Sequence, residues 1–157
     1  MKAASLNDIK KELKNADEDT LRELCLRLGK YKKENKEFLT YLLFEAEDES
    51  AYTENVKSDI DELFAEVNKA NIYFAKKNLR KILRMVNKQV RYSGIRQTEL
   101  DLRIHFCTGM KNTGIRFSSS QVLLNIYNGQ LKKIHAALTK LPEDLQYDYV
   151  KLIADLE

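Results

Sequence analysis

Residues 72–92 of the chain are IYFAKKNLRKILRMVNKQVRY, and this stretch decides the fold class. Its apolar residues recur at intervals of three and four, which predicts a helix with one apolar stripe along about five turns. The stripe comprises Ile72, Ala75, Leu79, Ile82, Leu83, Val86 and Val90. Tyr92-Ser93-Gly94 is expected to close the helix, because glycine tolerates the left-handed conformation found at helix C-termini.

The same spacing recurs along most of the chain and predicts an all-α fold of about eight helices. Three are expected before residue 48. They are Leu6 to Asn15 with Ser5 as N-cap and Asp8 in the capping box, a helix from Asp17 or Asp19 to Gly29, and one from Asn35 into the acidic turn at 47–50. The second helix is expected to bury Leu21, Leu24, Cys25 and Leu28.

Five further helices are expected after residue 50. The fourth begins at Ser50 or Thr53, and the fifth covers 72–92. The sixth is capped by Thr98 with Asp101 and ends in a loop at Gly109–Gly114. The seventh is capped within Ser118–Ser120, and the eighth begins at Pro142. Short loops predict a single domain over 1–157, with 1–48 as an N-terminal subdomain and 50–157 as the main core. A compact helical bundle and an irregular α-solenoid of the HEAT or armadillo type both fit this pattern.

Composition narrows the class of protein. Apolar residues make up 43% of the chain and charged residues 32%, which is typical of neither disordered nor membrane proteins. No apolar run approaches the roughly 18 residues that span a bilayer, and no secretion signal is recognisable, so we expect a cytoplasmic protein. Cys25 and Cys107 lie among helically spaced apolar residues and are expected to be buried free thiols.

Charge is segregated along the chain. Residues 1–70 carry 12 Lys/Arg and 17 Asp/Glu, a net charge of −5, whereas residues 71–141 carry 14 and 2, a net charge of +12. Residues 142–157 carry 1 and 5, a net charge of −4. The excess of positive charge in the middle segment predicts an anionic counterpart, either within the chain or outside it.

Within residues 72–92 the basic residues form a second stripe, opposite the apolar one. It comprises Lys77, Lys81, Arg84, Lys88 and Arg91. One interpretation places the acidic residues of the helix at 54–66 against this stripe. The other leaves it for an external anion, namely RNA, DNA, an acidic protein or anionic lipid. Arg96 and Arg103 would then add phosphate-binding groups and Tyr73, Tyr92 and Phe117 stacking rings, unless these residues belong to the core.

No motif predicts catalysis, a metal or a cofactor. His105 and His135 lack the Glu-x-x-His spacing of di-iron sites, and His135 is expected to be hydrogen-bonded and partly buried. The acidic run at 45–49 lacks the alternation of an EF-hand, and no phosphate-binding glycine loop or nucleophile elbow occurs. We therefore expect a non-enzymatic protein without a cofactor.

Two resemblances follow from local sequence. The helix pair from Leu6 to Gly29 resembles the SAP-type helix–loop–helix, a module that binds DNA in some proteins. The segments at 78–83, 92–94 and 141–149 resemble an uncharacterised family of small all-helical bacterial cytosolic proteins over nearly the full chain. That resemblance implies a helical fold, a bacterial origin and a single domain, and it implies no functional residue.

The sequence therefore predicts a helical scaffold that binds another macromolecule, most simply a protein, and that does not enter a membrane. The alternative is a nucleic-acid-binding protein that uses Lys77, Lys81, Arg84, Lys88, Arg91 and Arg96 for phosphate contacts.

Overall fold

The computed structural model describes residues 2–157, among which it contains eight α-helices and no strand. The helices are α1 (Leu6–Asn15), α2 (Glu18–Tyr31), α3 (Lys33–Thr40), α4 (Glu49–Ala65), α5 (Ile72–Ser93), α6 (Arg96–Asn112), α7 (Gln121–Leu138) and α8 (Glu143–Ala154). A π-helical turn covers Tyr41–Glu45 and a 3-10 turn covers Phe117–Ser119. The all-α prediction is confirmed.

The chain divides into two units, one ending at Phe44 and the other spanning Glu45–Glu157. In the N-terminal unit α2 packs against α3. In the C-terminal unit α6 is the central helix, since it packs against α4, α5 and α7. The boundaries at 1–48 and 50–157 that the sequence suggested stay a prediction.

The position of α6 explains its composition. Eight of its residues are buried: Thr98, Leu100, Leu102, Arg103, Ile104, Phe106, Cys107 and Met110. A helix in contact with three neighbours has little surface left for polar side chains. Its buried residues therefore lie on several sides of the helix and do not form a single apolar stripe. No helix among residues 2–157 is both long and apolar enough to cross a bilayer.

Two predicted helix ends are confirmed. Ser5 caps α1, where its Oγ accepts a hydrogen bond from the backbone N–H of Asp8 at 3.2 Å and donates to the Asp8 carboxylate at 2.7 Å. Gly94 ends α5 with φ of 66°, and its N–H donates to the carbonyl of Val90. Both ends use local chemistry, which is why the sequence alone predicts them.

The end of α2 was predicted wrongly. The helix continues through Gly29 to Tyr31, and Gly29 is not among the glycines with positive φ. The third helix begins at Lys33, so Asn35 lies inside it and donates through its side-chain amide to the carbonyl of Leu28 at 2.8 Å. A side chain from the next helix thus satisfies a carbonyl near the end of α2, which needs no glycine there.

The predicted cap of the sixth helix is also wrong. Thr98 lies inside α6, whose N-cap position is Ile95, and its hydroxyl donates to the Glu49 carboxylate at 2.6 Å. The same helix continues past Gly109 to Asn112, so no loop begins at Gly109.

Two further boundaries differ slightly from the prediction. Helix α4 begins at Glu49, because Asp48 accepts a hydrogen bond from the N–H of Ala51 at 2.9 Å. Ser120 precedes α7 but makes no side-chain capping bond.

Candidate binding surfaces

The basic residues of α5 lie on the side of the helix away from its buried residues. Lys77, Lys81, Arg84 and Arg91 are exposed and Lys88 is partly exposed. The buried residues of the helix are Ala75, Leu79, Ile82, Val86 and Val90. We call the five cationic residues the α5 basic stripe. In the described part of the chain, none of its four exposed members forms an ion pair.

The acidic residues of α4 have other partners or face solvent. The Glu54 carboxylate pairs with Lys57 at 2.8 Å, and this bond holds the pKa of Glu54 below its usual value. The Asp61 carboxylate lies 2.7 Å from Nε2 of His105 on α6. The exposed members of the α5 basic stripe are therefore not neutralised by the helix at 54–66.

Arg96 stands apart from the stripe. It lies in the first turn of α6, where its guanidinium pairs with the Glu99 carboxylate at 2.8 Å. The same carboxylate accepts from Nε of the buried Arg103 at 3.0 Å. Arg103 also donates to Asn87 and Gln130, so it is a core residue that joins α5, α6 and α7 and is not a phosphate-binding group on the surface.

Two aromatic rings lie at the N-terminal end of the stripe. Tyr73 is 61% exposed and Phe74 is 48% exposed, and their rings meet edge to face with centroids 5.4 Å apart. The side chain of Asn71 caps the helix by accepting from the N–H groups of both residues. Tyr73 precedes Lys77 by four residues, so it lies on the same side of α5 as the stripe, one turn earlier.

The other two predicted stacking rings are less accessible. Tyr92, near the end of α5, is partly buried. The ring of Phe117 lies 4.8 Å from that of Tyr127, and both belong to the C-terminal unit. Burial raises the pKa of Tyr127 to about 12, and its hydroxyl donates to the carbonyl of Leu156 at 2.7 Å. Tyr127 is buried and Phe117 is partly buried, so the pair offers little free ring surface.

The N-terminal unit exposes its apolar residues. Helices α1, α2 and α3 contain no buried residue at all. The predicted burial of Leu24, Cys25 and Leu28 is wrong, since all three are exposed. A unit of about 40 residues encloses too little volume to cover its apolar side chains, and this size limit is the physical reason for the difference.

Between α2 and α3 these side chains line a groove of about 340 Å³. The lining residues are Cys25, Leu28, Gly29, Asn35, Phe38, Leu39 and Leu42. Gly29 lies across from Leu39, whose Cδ2 is 3.4 Å from the place of a Cβ on Gly29, so the two helices approach closely at this point. We call this feature the α2–α3 groove. Sequence analysis missed it, although the apolar residues of α2 were its signal.

The two cysteines differ. Cys25 is exposed, contrary to expectation, whereas Cys107 is buried as expected, and burial raises the pKa of its thiol to about 12. Cys107 therefore stays protonated and inert at neutral pH.

The two histidines are each bonded to one carboxylate. His105 contacts Asp61, and Nε2 of His135 lies 2.9 Å from the Glu157 carboxylate. His135 is hydrogen-bonded as expected, but it is exposed and not partly buried. Among residues 2–157, no group of three or more His, Cys, Asp or Glu side chains is placed to hold a metal ion.

A polar cleft of about 210 Å³ lies between the start of α4 and the start of α6. Its carboxylates are occupied by internal hydrogen bonds. Glu49 accepts from the hydroxyls of Ser93 and Thr98, and Asp101 accepts from the Tyr149 hydroxyl at 2.8 Å. The hydrogen bonds in this cleft thus join α4 to α5 and α6, and α6 to α8.

No protein family, no curated protein and no solved structure matches the chain. The resemblance to small helical bacterial cytosolic proteins and the resemblance to SAP modules stay predictions. Function is therefore argued from the α5 basic stripe and the α2–α3 groove.

Proposed function

We propose that this chain is a non-enzymatic cytoplasmic scaffold that binds another protein through the apolar surface of its N-terminal unit. One observation carries the proposal: α1, α2 and α3 contain no fully buried residue, yet they present many large apolar side chains. The exposed ones are Leu6, Ile9, Leu13, Leu24, Leu26, Leu28, Tyr31 and Phe38, and Leu42, Leu43 and Phe44 follow in the next turn. Clustered apolar exposure of this kind is typical of interaction sites.

The shape of the α2–α3 groove favours one class of occupant. A groove between two helices with an apolar lining accepts the apolar face of an amphipathic helix, whose anchors recur at three- and four-residue intervals. Leu28 is 61% exposed and Leu42 is 51% exposed, so each has apolar area left to bury. Fully covering an exposed leucine stabilises a complex by about 1.5–3 kcal/mol. Leu28 and Leu42 are already partly covered, so burying the rest of each side chain contributes part of that free energy.

Site-specific photo-crosslinking tests the proposal. Tyr31 lies one turn beyond Leu28 on α2 and is 75% exposed, so p-benzoylphenylalanine at position 31 sits beside the groove without filling it. The chain carrying this residue is irradiated in a lysate of its own cells, and the crosslinked peptide is identified by mass spectrometry. We expect a protein segment with apolar residues at helical spacing.

The matched variants are Leu28→Asp and Leu26→Asp. The two positions lie on nearly opposite sides of α2, and Leu26 is 58% exposed against 61% for Leu28. Leu28→Asp should remove the crosslink and Leu26→Asp should retain it. Equal yields from both variants, a crosslink to a second copy of this chain, or binding only to lipid vesicles would each overturn the proposal.

A second candidate function rests on the α5 basic stripe. Lys77, Lys81, Arg84 and Arg91 face solvent without ion pairs in the described chain. The electrostatic repulsion among these four cations is therefore screened by solvent ions or neutralised by an external polyanion. The candidate is a nucleic-acid-binding protein that contacts phosphates.

Fluorescence anisotropy with labelled DNA and RNA at about 50 and 200 mM salt tests this second candidate. We expect an affinity that falls steeply with salt and that is lost in the Lys77→Gln/Lys81→Gln/Arg84→Gln variant. The matched control is Lys10→Gln/Lys11→Gln/Lys14→Gln, which removes the same charge from the exposed surface of α1. Equal loss in both variants would reduce the effect to net charge and reject a specific site.

A further inference from the structure

We infer that the α5 basic stripe, together with Tyr73, is a site for single-stranded nucleic acid and not for duplex. This inference rests on the second candidate function and narrows it. It joins two separate observations: four exposed cations of α5 (Lys77, Lys81, Arg84 and Arg91) form no ion pair in the described chain, and an exposed aromatic ring lies at one end of them.

The cations of the α5 basic stripe supply the contact with the phosphate backbone of the nucleic acid. From Lys77 to Arg91 the stripe covers 15 residues, whose first and last Cα atoms are about 21 Å apart along the helix axis. Over that length four exposed cations and the partly exposed Lys88 follow one line, and among the described residues none of the four exposed cations forms an ion pair. A linear array of cations matches the linear array of phosphates in a nucleic-acid strand.

Tyr73 supplies the contact that distinguishes a single strand from a duplex. Its ring is 61% exposed, it stands one turn before Lys77, and the Asn71 cap fixes the backbone that carries it. An unpaired base can stack on such a ring, whereas the bases of a duplex are stacked on one another and covered by their backbones.

The neighbourhood of Tyr73 gives the ring one aromatic contact and fixes the backbone that carries it. Phe74 packs edge to face against it, at a centroid distance of 5.4 Å. Upstream, the Asn68 side chain accepts from the N–H groups of Ala70 and Asn71, which fixes the loop that leads into the helix. A stacking ring that is already ordered loses little conformational freedom on binding.

The experiment uses the absence of tryptophan from the sequence. Tyr73→Trp introduces a single indole at the proposed stacking position, and Tyr147→Trp places the same reporter at an 82% exposed position on α8 as the control. Each protein is titrated with a 12-nucleotide oligo(dT) strand and with a 12-base-pair duplex. We expect the single strand to quench the indole fluorescence of the Tyr73→Trp protein saturably and the duplex to quench it little. Neither effect is expected in the Tyr147→Trp protein.

A second variant measures the contribution of the ring to affinity. Tyr73→Ala should weaken binding of the single strand by about fivefold or more, because stacking contributes strongly per base, and it should leave duplex binding unchanged. The native protein should show a log–log salt dependence with a slope near −3 for the single strand, as expected for about four phosphate contacts. Circular dichroism confirms that each variant is folded.

The outcomes separate this inference from the function on which it rests. If the triple Gln variant loses binding but Tyr73→Ala does not, and the indole of the Tyr73→Trp protein responds equally to both DNA forms, the stripe binds polyanions and the single-strand inference is wrong. If the native protein binds neither form, or binds only anionic vesicles, both the second candidate function and the inference are wrong. The proposal for the α2–α3 groove is unaffected by either result.

Discussion

The Tyr149 hydroxyl donates a hydrogen bond to Oδ1 of Asp101 at 2.8 Å and thereby joins α8 to α6. Burial raises the pKa of Asp101, although the bond from Tyr149 and the charge of Lys57 act in the opposite direction. The folded state therefore holds this proton at pH values where the unfolded chain has released it. The contribution of Asp101 to the free energy of unfolding is greatest below about pH 4 and declines as the pH rises through the folded pKa.

We predict that Asp101→Asn removes this decline, because an amide cannot ionise while its oxygen still accepts from Tyr149. Urea unfolding at about pH 3.5, 5 and 7 should show the variant gaining stability relative to the native protein as the pH rises. Tyr149→Phe is the companion variant and should cost about 1 kcal/mol through the lost hydrogen bond. A difference between Asp101→Asn and native that stays constant with pH would contradict the assignment.

Two glycines in helices provide a matched pair for packing. A Cβ on Gly109 would meet the ring of Phe64 well inside van der Waals contact, whereas a Cβ on Gly129 would have no neighbour within 4 Å. Gly109→Ala should destabilise by about 1–3 kcal/mol because of overpacking, despite the better helix propensity of alanine. Gly129→Ala should stabilise by about 0.5–1 kcal/mol. Thermal unfolding of both variants tests the prediction, and a gain in stability for Gly109→Ala would contradict the close approach of α4 and α6.

The core contains one cation whose removal should be costly. Arg103 is 5% exposed and donates to Glu99 at 3.0 Å, Asn87 at 2.9 Å and Gln130 at 2.8 Å. Arg103→Ala leaves the Asn87 and Gln130 side-chain oxygens without this donor and leaves Glu99 with Arg96 alone, so we expect a loss of about 3 kcal/mol in the free energy of unfolding. Denaturant titration measures it. A loss under about 1 kcal/mol would mean that the network is not formed in solution.

The charges of the α5 basic stripe should affect the free energy of unfolding even when no ligand is bound. Since Lys77, Lys81 and Arg84 have no ion pair in the described chain, replacing them by glutamine should leave stability equal or raise it by a few tenths of a kcal/mol. The native protein should also become slightly more stable between about 10 and 200 mM salt, which screens the repulsion. Chemical unfolding of both proteins provides the numbers. A clear destabilisation by the triple substitution would show that α4 pairs with the stripe after all.

What the sequence predicts correctly here is local. The Ser5 cap of α1, the apolar stripe on α5 and the left-handed Gly94 all depend on residues within one or two turns of each other. Spacing, charge order and glycine chemistry are sufficient for such features.

The errors concern contacts between residues distant in sequence. The hydroxyl of Thr98 has Glu49 as a partner 49 residues away, so a residue typical of a cap lies inside a helix. Glycine at position 109 suggests a loop in the sequence, but Gly109 lies inside α6, where the ring of Phe64 leaves no room for a Cβ. Likewise, the apolar spacing on α2 is real but does not reveal that the N-terminal unit is too small to bury it.

The central claim, that the α2–α3 groove binds another protein, is tested most directly by sedimentation velocity of a fluorescent fusion of the chain. The native protein, a Leu28→Asp/Leu42→Asp variant and the Lys77→Gln/Lys81→Gln/Arg84→Gln variant are compared in buffer and in a nuclease-treated lysate of their own cells. We predict that all three sediment as monomers in buffer, and that in lysate the native protein and the triple variant sediment faster while the groove variant does not. A native protein that stays monomeric in lysate, or a complex that survives the groove substitutions, would contradict the claim.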